Sequence, residues 1–219
     1  MPTSHSTDSP TGSLARLSGR PVGGDAGLAA LAGEAESCRR CPLYRNATHV
    51  VFGEGPATAA IVMVGEQPGD QEDRTGHPFV GPAGKVLDRA LAQAGIDRGA
   101  VYVTNAVKHF KHEQRGKRRI HQKPNSGEIR QCRWWLDKEL AAVRPALVVA
   151  LGATAAKVLM GRTVVLSREH GQPMTLADGR RGIATIHPSA VLRMRDDASR
   201  ETAFAGLVDD LGQAARLLG

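Results

Sequence analysis

Three cysteines in 219 residues are too few for a disulfide framework, which leaves metal binding or buried thiols as their uses. No apolar run approaches the roughly 20 residues that cross a bilayer, so no membrane partner is expected. The N-terminus also lacks the basic and apolar segments of an export signal, and a cytoplasmic protein is expected. No internal repeat is present. Acidic residues number 22 against 29 basic ones, for a formal charge of +7 and a pI near 9.8. That balance favours a polyanionic partner without establishing one. The length suffices for one generous core and a tail.

Residues 1–25 are rich in Ser, Thr, Gly and Pro. They read as a disordered tail, and 26–219 as a single domain. Small apolar residues over 26–37 suggest a helix leading into Cys38-Arg39-Arg40-Cys41-Pro42. Ala60-Ile61-Val62-Met63-Val64 is an apolar run bounded by turn residues, the pattern of a buried strand. Over 83–94, Val86, Leu87, Ala90 and Leu91 share one helical face, and Gly95 stops the helix. A second strand is expected over 101–107, continued by a strongly basic stretch over 109–123. A helix should begin near Asn125, with Glu128 as a capping-box partner, and end before Pro145. Segments 146–151 and 182–186 read as the third and fourth strands. A short helix follows Gly152, and a final one covers 201–218. This alternation predicts an α/β fold, a three-layer α/β/α sandwich around a four-stranded parallel sheet.

Gly65-Glu66-Gln67-Pro68-Gly69-Asp70 leaves the first strand where an open α/β sheet usually binds its ligand. Its glycines let a ligand approach the backbone, and Glu66, Asp70 and Asp73 gather acid in a basic chain. The same pattern also suits a plain turn with solvated carboxylates. Asp70, Asn105 and His187 all fall at or just beyond strand ends that share one edge, so they can converge. Cys38-x-x-Cys41 serves zinc, iron–sulfur or redox chemistry. With Cys132 it is one ligand short of four, and His109 is the candidate for the last position, since histidine can replace a thiolate on iron. Otherwise Cys132 is a buried helix residue and the pair is idle.

Four ordered stretches resemble the motifs of the iron–sulfur uracil-DNA glycosylases, family 4. They are Gly65-Glu66-Gln67-Pro68-Gly69, Gly76-His77-Pro78-Phe79-Val80-Gly81, Thr104-Asn105-Ala106-Val107-Lys108 and His187-Pro188-Ser189. The insertion Lys117-Arg118-Arg119-Ile120-His121 resembles the signature of the UdgX type within that family. The likeness runs from Cys38 to the end of the chain. It implies a [4Fe-4S] cluster held by Cys38, Cys41, Cys132 and, where the family has a third cysteine, His109. It also implies a monomer acting on uracil-containing DNA, single- or double-stranded, and associated with the nucleoid when bound.

Under that resemblance the target nucleotide is flipped out of the stack. Phe79 offers the stacking platform and Gly65 the close backbone approach. The Asn105 amide pairs with the uracil edge, donating to O4 and accepting from N3–H, and cytosine presents the opposite pattern. His187 stabilises the departing uracil anion near O2. Glu66, Asp70 and Asp73, with Gln67 beside them, are catalytic candidates: an acid here can stabilise the sugar cation, orient water or hold a histidine tautomer. Lys117, Arg118 and Arg119 would contact phosphates. Ala190-Val191-Leu192-Arg193 resembles the family's intercalation loop, with Leu192 filling the gap and Ser189 and Arg193 reaching the backbone.

On its residues alone, His121 reads as a loop residue beside phosphate. The UdgX resemblance implies instead that its imidazole attacks C1′ and leaves the protein bonded to the abasic site. A conventional turnover glycosylase and a non-enzymatic, metal-stabilised DNA-binding protein are the competing readings.

Overall fold

The computed structural model describes residues 24–218. The expected tail over 1–25 therefore lies outside the described residues except for its last two, and Asp25 already opens a helix. That helix, α1 (Asp25–Glu36), is followed by β1 (Ile61–Gly65), α2 (Asp70–Thr75), α3 (Pro82–Gln93) and β2 (Val101–Asn105). A hairpin of β3 (His112–Arg115) and β4 (Arg118–His121) comes next, then α4 (Ser126–Val143), β5 (Leu147–Leu151) and α5 (Ala153–Met160). The chain closes with α6 (Leu166–Glu169), β6 (Pro173–Thr175), β7 (Arg181–Thr185), α7 (Pro188–Leu192) and α8 (Asp197–Arg216).

The central sheet has five strands in the order β2-β1-β5-β7-β6, not four. The first four run parallel, and β6 pairs antiparallel with β7 through Met174 opposite Gly182. Three residues beginning with a proline carry no apolar alternation, and a strand containing proline is tolerated only at an edge, where β6 sits. The sheet is therefore mixed, though mostly parallel.

Period-two alternation distributes the strand residues between two cores. Val62, Val64, Tyr102, Val148 and Ala184 pack with Leu31 of α1, Leu136 and Leu140 of α4 and Leu159 of α5. Ile61, Met63, Val103, Val149 and Ile183 pack on the other face with Leu87 and Leu91 of α3 and Leu207 and Leu211 of α8. Helices thus cover both faces. The helix after β1 lies on one face and the helix after β5 on the other, so the loops leaving these neighbouring strands part. Such a divergence opens a crevice at the carboxyl edge.

Besides β6 and α6, which the sequence reading left unassigned, three segments depart from it. Asp70–Thr75 is a helix rather than loop, the basic stretch folds into the β3–β4 hairpin, and Pro188–Leu192 forms a short helix. The hairpin turns through Gly116 and Lys117, with Gly116 at φ 58°, a conformation open to glycine. No helix among the described residues is long and apolar enough to cross a membrane.

The cap of α4 is reciprocal: Asn125 Oδ1 accepts from Glu128 N at 2.9 Å, and Glu128 Oε2 accepts from Asn125 N at 2.7 Å. Asn125→Ala should lower unfolding stability by about 1 kcal/mol, the usual worth of such a cap. Denaturant melts of the two proteins check this, and an unchanged midpoint would deny the cap that role.

Candidate active site

The crevice is a cavity of about 660 Å³ lined by Glu66 and Gln67 after β1, Asn105 at the end of β2, Thr154 after β5 and His187 after β7. Glu72, Phe79, His121, Lys123, Ser189 and Arg193 are also among its walls. Parallel register explains the convergence, since Gly65 is the partner of Asn105 across β1 and β2.

Asn105 is 3 % exposed, and its side chain lies against the bare Cα of Gly65. A Cβ on Gly65 would fall 2.3 Å from Asn105 Oδ1 and 2.9 Å from Phe79 Cζ, so any larger residue would displace both groups. Phe79 holds φ at 56°, a left-handed conformation rare for a bulky residue and a frequent mark of function. Its ring lies 6.3 Å from that of His187, the planes inclined by 26°. Glu72, which the sequence reading did not single out, ties the two loops together. Its Oε2 accepts from Gly69 N at 3.1 Å and its Oε1 from Gly81 N at 2.8 Å.

The hairpin places His121 at the cavity. The side chain is 53 % exposed, and Nε2 lies 3.5 Å from Glu66 Oε1. The Thr154 hydroxyl donates to the other Glu66 oxygen. Gln67 clamps the base of the hairpin: Nε2 donates to the Gln122 carbonyl at 3.0 Å and the Lys111 carbonyl at 3.3 Å, and Oε1 accepts from Lys111 N at 3.1 Å. Its amide is thereby committed to the backbone.

Arg119 is not a free phosphate contact. Its side chain is only 10 % exposed and pairs with both Asp70 and Asp73, while Nη1 also donates to Thr48 Oγ1 at 3.1 Å. Asp73 is fully buried and further accepts from Thr48 N at 3.0 Å. Burial alone would raise the Asp70 carboxyl, but the bonds and charges of Arg74 and Arg119 hold it below the usual carboxylate range. Asp70 and Asp73 do not line the cavity. They anchor the hairpin that carries His121, while Arg118 stands exposed on β4 and Lys117 at its turn.

His187 caps α7, and its Nδ1 accepts from Ser189 N at 3.1 Å. Arg193 donates to Ser189 Oγ at 2.8 Å, and that oxygen lies 2.7 Å from the same Nδ1. With Nδ1 accepting, the neutral ring carries its proton on Nε2. Burial, helped by the charges of Arg193 and His121, pulls the His187 pKa down to about 4. The ring is therefore a neutral N–H donor. Leu192 is 45 % exposed, beside Arg193 at the end of α7.

Cys38, Cys41 and Cys132 are free and buried. Trp135 Nε1 and the Lys108 backbone N–H each stand 3.1 Å from a sulfur, of Cys38 and Cys132 respectively. Burial pushes the Cys132 thiol up to about 12 and also raises Cys41. His109 is 5 % exposed, and its Nδ1 has no hydrogen-bond partner among the described residues. No three His, Cys, Asp or Glu side chains among the described residues gather closely enough for one metal ion. A cluster distributes its ligands over several irons, and N–H donors on sulfur beside an orphaned imidazole nitrogen suit such a group.

The chain belongs to the uracil DNA glycosylase superfamily, whose family model matches residues 52–212. Within it, the chain is 39 % identical over 166 residues to the type-4 uracil-DNA glycosylase of Thermotoga maritima, covering 75 % of this chain and 83 % of that one. The type-4 enzyme of Pyrobaculum aerophilum is 34 % identical over 80 % of this chain and 91 % of its own. That organism's type-5 uracil-DNA glycosylase is 33 % identical over 70 % and 78 %.

Two further residues escaped the sequence reading: the fully buried pair of Lys108 and Glu139 beneath Asn105. Charged side chains give no sequence signal for burial, because such residues are usually solvated. The state of His187 is directly measurable. Long-range ¹H–¹⁵N spectra should show a neutral, Nε2-protonated ring down to about pH 5, well below the usual histidine range. A cationic ring at neutral pH would exclude Nδ1 as the acceptor from Ser189 N and with it the neutral donor.

Proposed function

We propose that this protein excises uracil from DNA and that His121 then bonds to C1′ of the abasic sugar. The observation that carries the reading is the placement of an accessible His121 in the same cavity as Asn105, Phe79 and His187. A flipped uracil would stack on Phe79 and be read by the Asn105 amide. Breaking the N1–C1′ bond sends its electron pair into the uracil ring, and His187 Nε2–H stabilises the charge near O2. Glu66, beside His121 Nε2, is placed to steady the sugar cation and to take a proton from the imidazole, freeing a lone pair. That lone pair forms the N–C1′ bond, because a held imidazole outcompetes water for the cation.

Asp70, Asp73, Arg119 and Gln67 serve this step by fixing the hairpin. Arg118, Lys117 and Lys123 supply exposed charge for the phosphates of single- or double-stranded DNA, and Leu192 with Arg193 faces the gap in the stack. Cys38, Cys41, Cys132 and His109 would hold a [4Fe-4S] cluster, whose contribution is to order the segments it joins. The protein then acts as a monomer, one chain per lesion.

Wild-type protein mixed with a uracil-containing oligonucleotide should release one uracil per chain and give a band that survives denaturing electrophoresis. His121→Gly should lose the band and release uracil repeatedly, and a cross-link persisting in that variant would reassign the nucleophile. Asn105→Ala should slow release by about 10²–10³-fold, the usual loss when one aligned polar group is removed from a transition state. Normal release would take Asn105 out of the pocket. Purified protein should be brown with about four irons per chain, the content of the cluster type. A colourless zinc protein would refute the cofactor.

A further inference from the structure

Beneath the cavity two opposite charges are wholly enclosed. Lys108 Nζ stands 2.5 Å from Glu139 Oε2, and both side chains are 0 % exposed. Such a pair holds a core no better than apolar residues of similar volume, so stability does not account for it. Its hydrogen bonds point elsewhere. Glu139 accepts from Gly53 N at 2.9 Å, Tyr102 Oη at 3.0 Å and Thr104 Oγ1 at 3.0 Å. Lys108 has three protons to give. They go to Glu139, to Thr104 Oγ1 at 2.5 Å and to the Asn105 carbonyl at 2.8 Å. Two of its three acceptors are therefore the last two residues of β2.

At that point the chain is leaving the sheet. The next residue, Ala106, still donates to the Gly65 carbonyl at 2.9 Å, but the Asn105 carbonyl turns inward to the ammonium. Holding that carbonyl fixes the peptide plane after Asn105, and with it the direction in which the side-chain amide leaves the backbone. Glu139 keeps the ammonium in place.

We propose that Lys108, held by Glu139, is a positioning residue for Asn105 that aims its amide at the uracil edge. This inference rests on Asn105 being the group that reads uracil. The test uses iron-loaded protein, a uracil-containing oligonucleotide and single-turnover uracil release, measured well below each variant's melting temperature. Lys108→Met alone strands the Glu139 charge and should lose both stability and rate. The double variant Lys108→Met/Glu139→Gln removes both charges and should melt near wild type, yet release uracil about 10²-fold more slowly, as a misaimed group does. In an Asn105→Ala background the double change should alter the rate by less than about twofold, because the group it aims is gone.

Recovery of the wild-type rate together with wild-type stability would make the pair purely structural and overturn the proposal. So would an undiminished further loss in the Asn105→Ala background. If the double variant does not fold, Glu139→Gln alone decides. It loosens the ammonium that holds the Asn105 carbonyl and should slow release about 10²-fold, a loss that disappears in the Asn105→Ala background. A wild-type rate there, or an equal further loss in the Asn105→Ala background, would overturn the proposal. Normal release by Asn105→Ala on its own would instead refute the reading of the pocket, a result distinct from any of these.

Discussion

Parallel pairing of β1 with β2 on one side and β5 on the other is the constraint from which the site follows. It puts Gly65 and Asn105 side by side and brings the loops after all three strands to one edge. The helices that follow β1 and β5 cover opposite faces, so the crevice between their loops is a consequence of winding. What remains for particular side chains is to shape that crevice. Gly65 does so by having no side chain, and Phe79 by accepting a backbone conformation that only a well-held loop can impose.

The hairpin is a second layer of construction laid over this edge. By itself a two-stranded ribbon is marginal in water. Here the guanidinium of Arg119 joins it to two carboxylates of α2, and the Gln67 amide closes its base. The acids of the first motif thus divide their labour by position. Glu66 faces the cavity, whereas Asp70 and Asp73 turn toward Arg119. The basic run is likewise not uniform, since alternate residues of a strand face opposite ways. Arg119 turns inward while its neighbour Arg118 stays in solvent.

Much of the fold was readable in the chain because its strands are continuous apolar runs and its long helices carry apolar faces with recognisable caps. The Asn125–Glu128 box and the stop at Gly95 are local signals, so they survive without tertiary knowledge. The hairpin escaped because His112–His121 has no apolar face, β6 because three residues show no period, and α2 because all six of its residues are polar. Strand ends sharing an edge pointed to Asn105 and His187 in one crevice, but also to Asp70, which pairs with Arg119 instead. Phe79 and His121 were drawn in by the resemblance. The roles of Asp70, Asp73 and Arg119 were not legible, because an ion pair across more than forty residues leaves no trace in either partner's neighbourhood. Lys108 and Glu139 were hidden for a related reason: a charge looks solvated until the layers around it are assembled.

The Glu72 carboxylate, accepting at once from Gly69 N and Gly81 N, joins the loop that bears Glu66 to the loop that bears Phe79. Moving these two loops apart would break both bonds of a carboxylate that is itself buried, so the part of the wall they share resists opening.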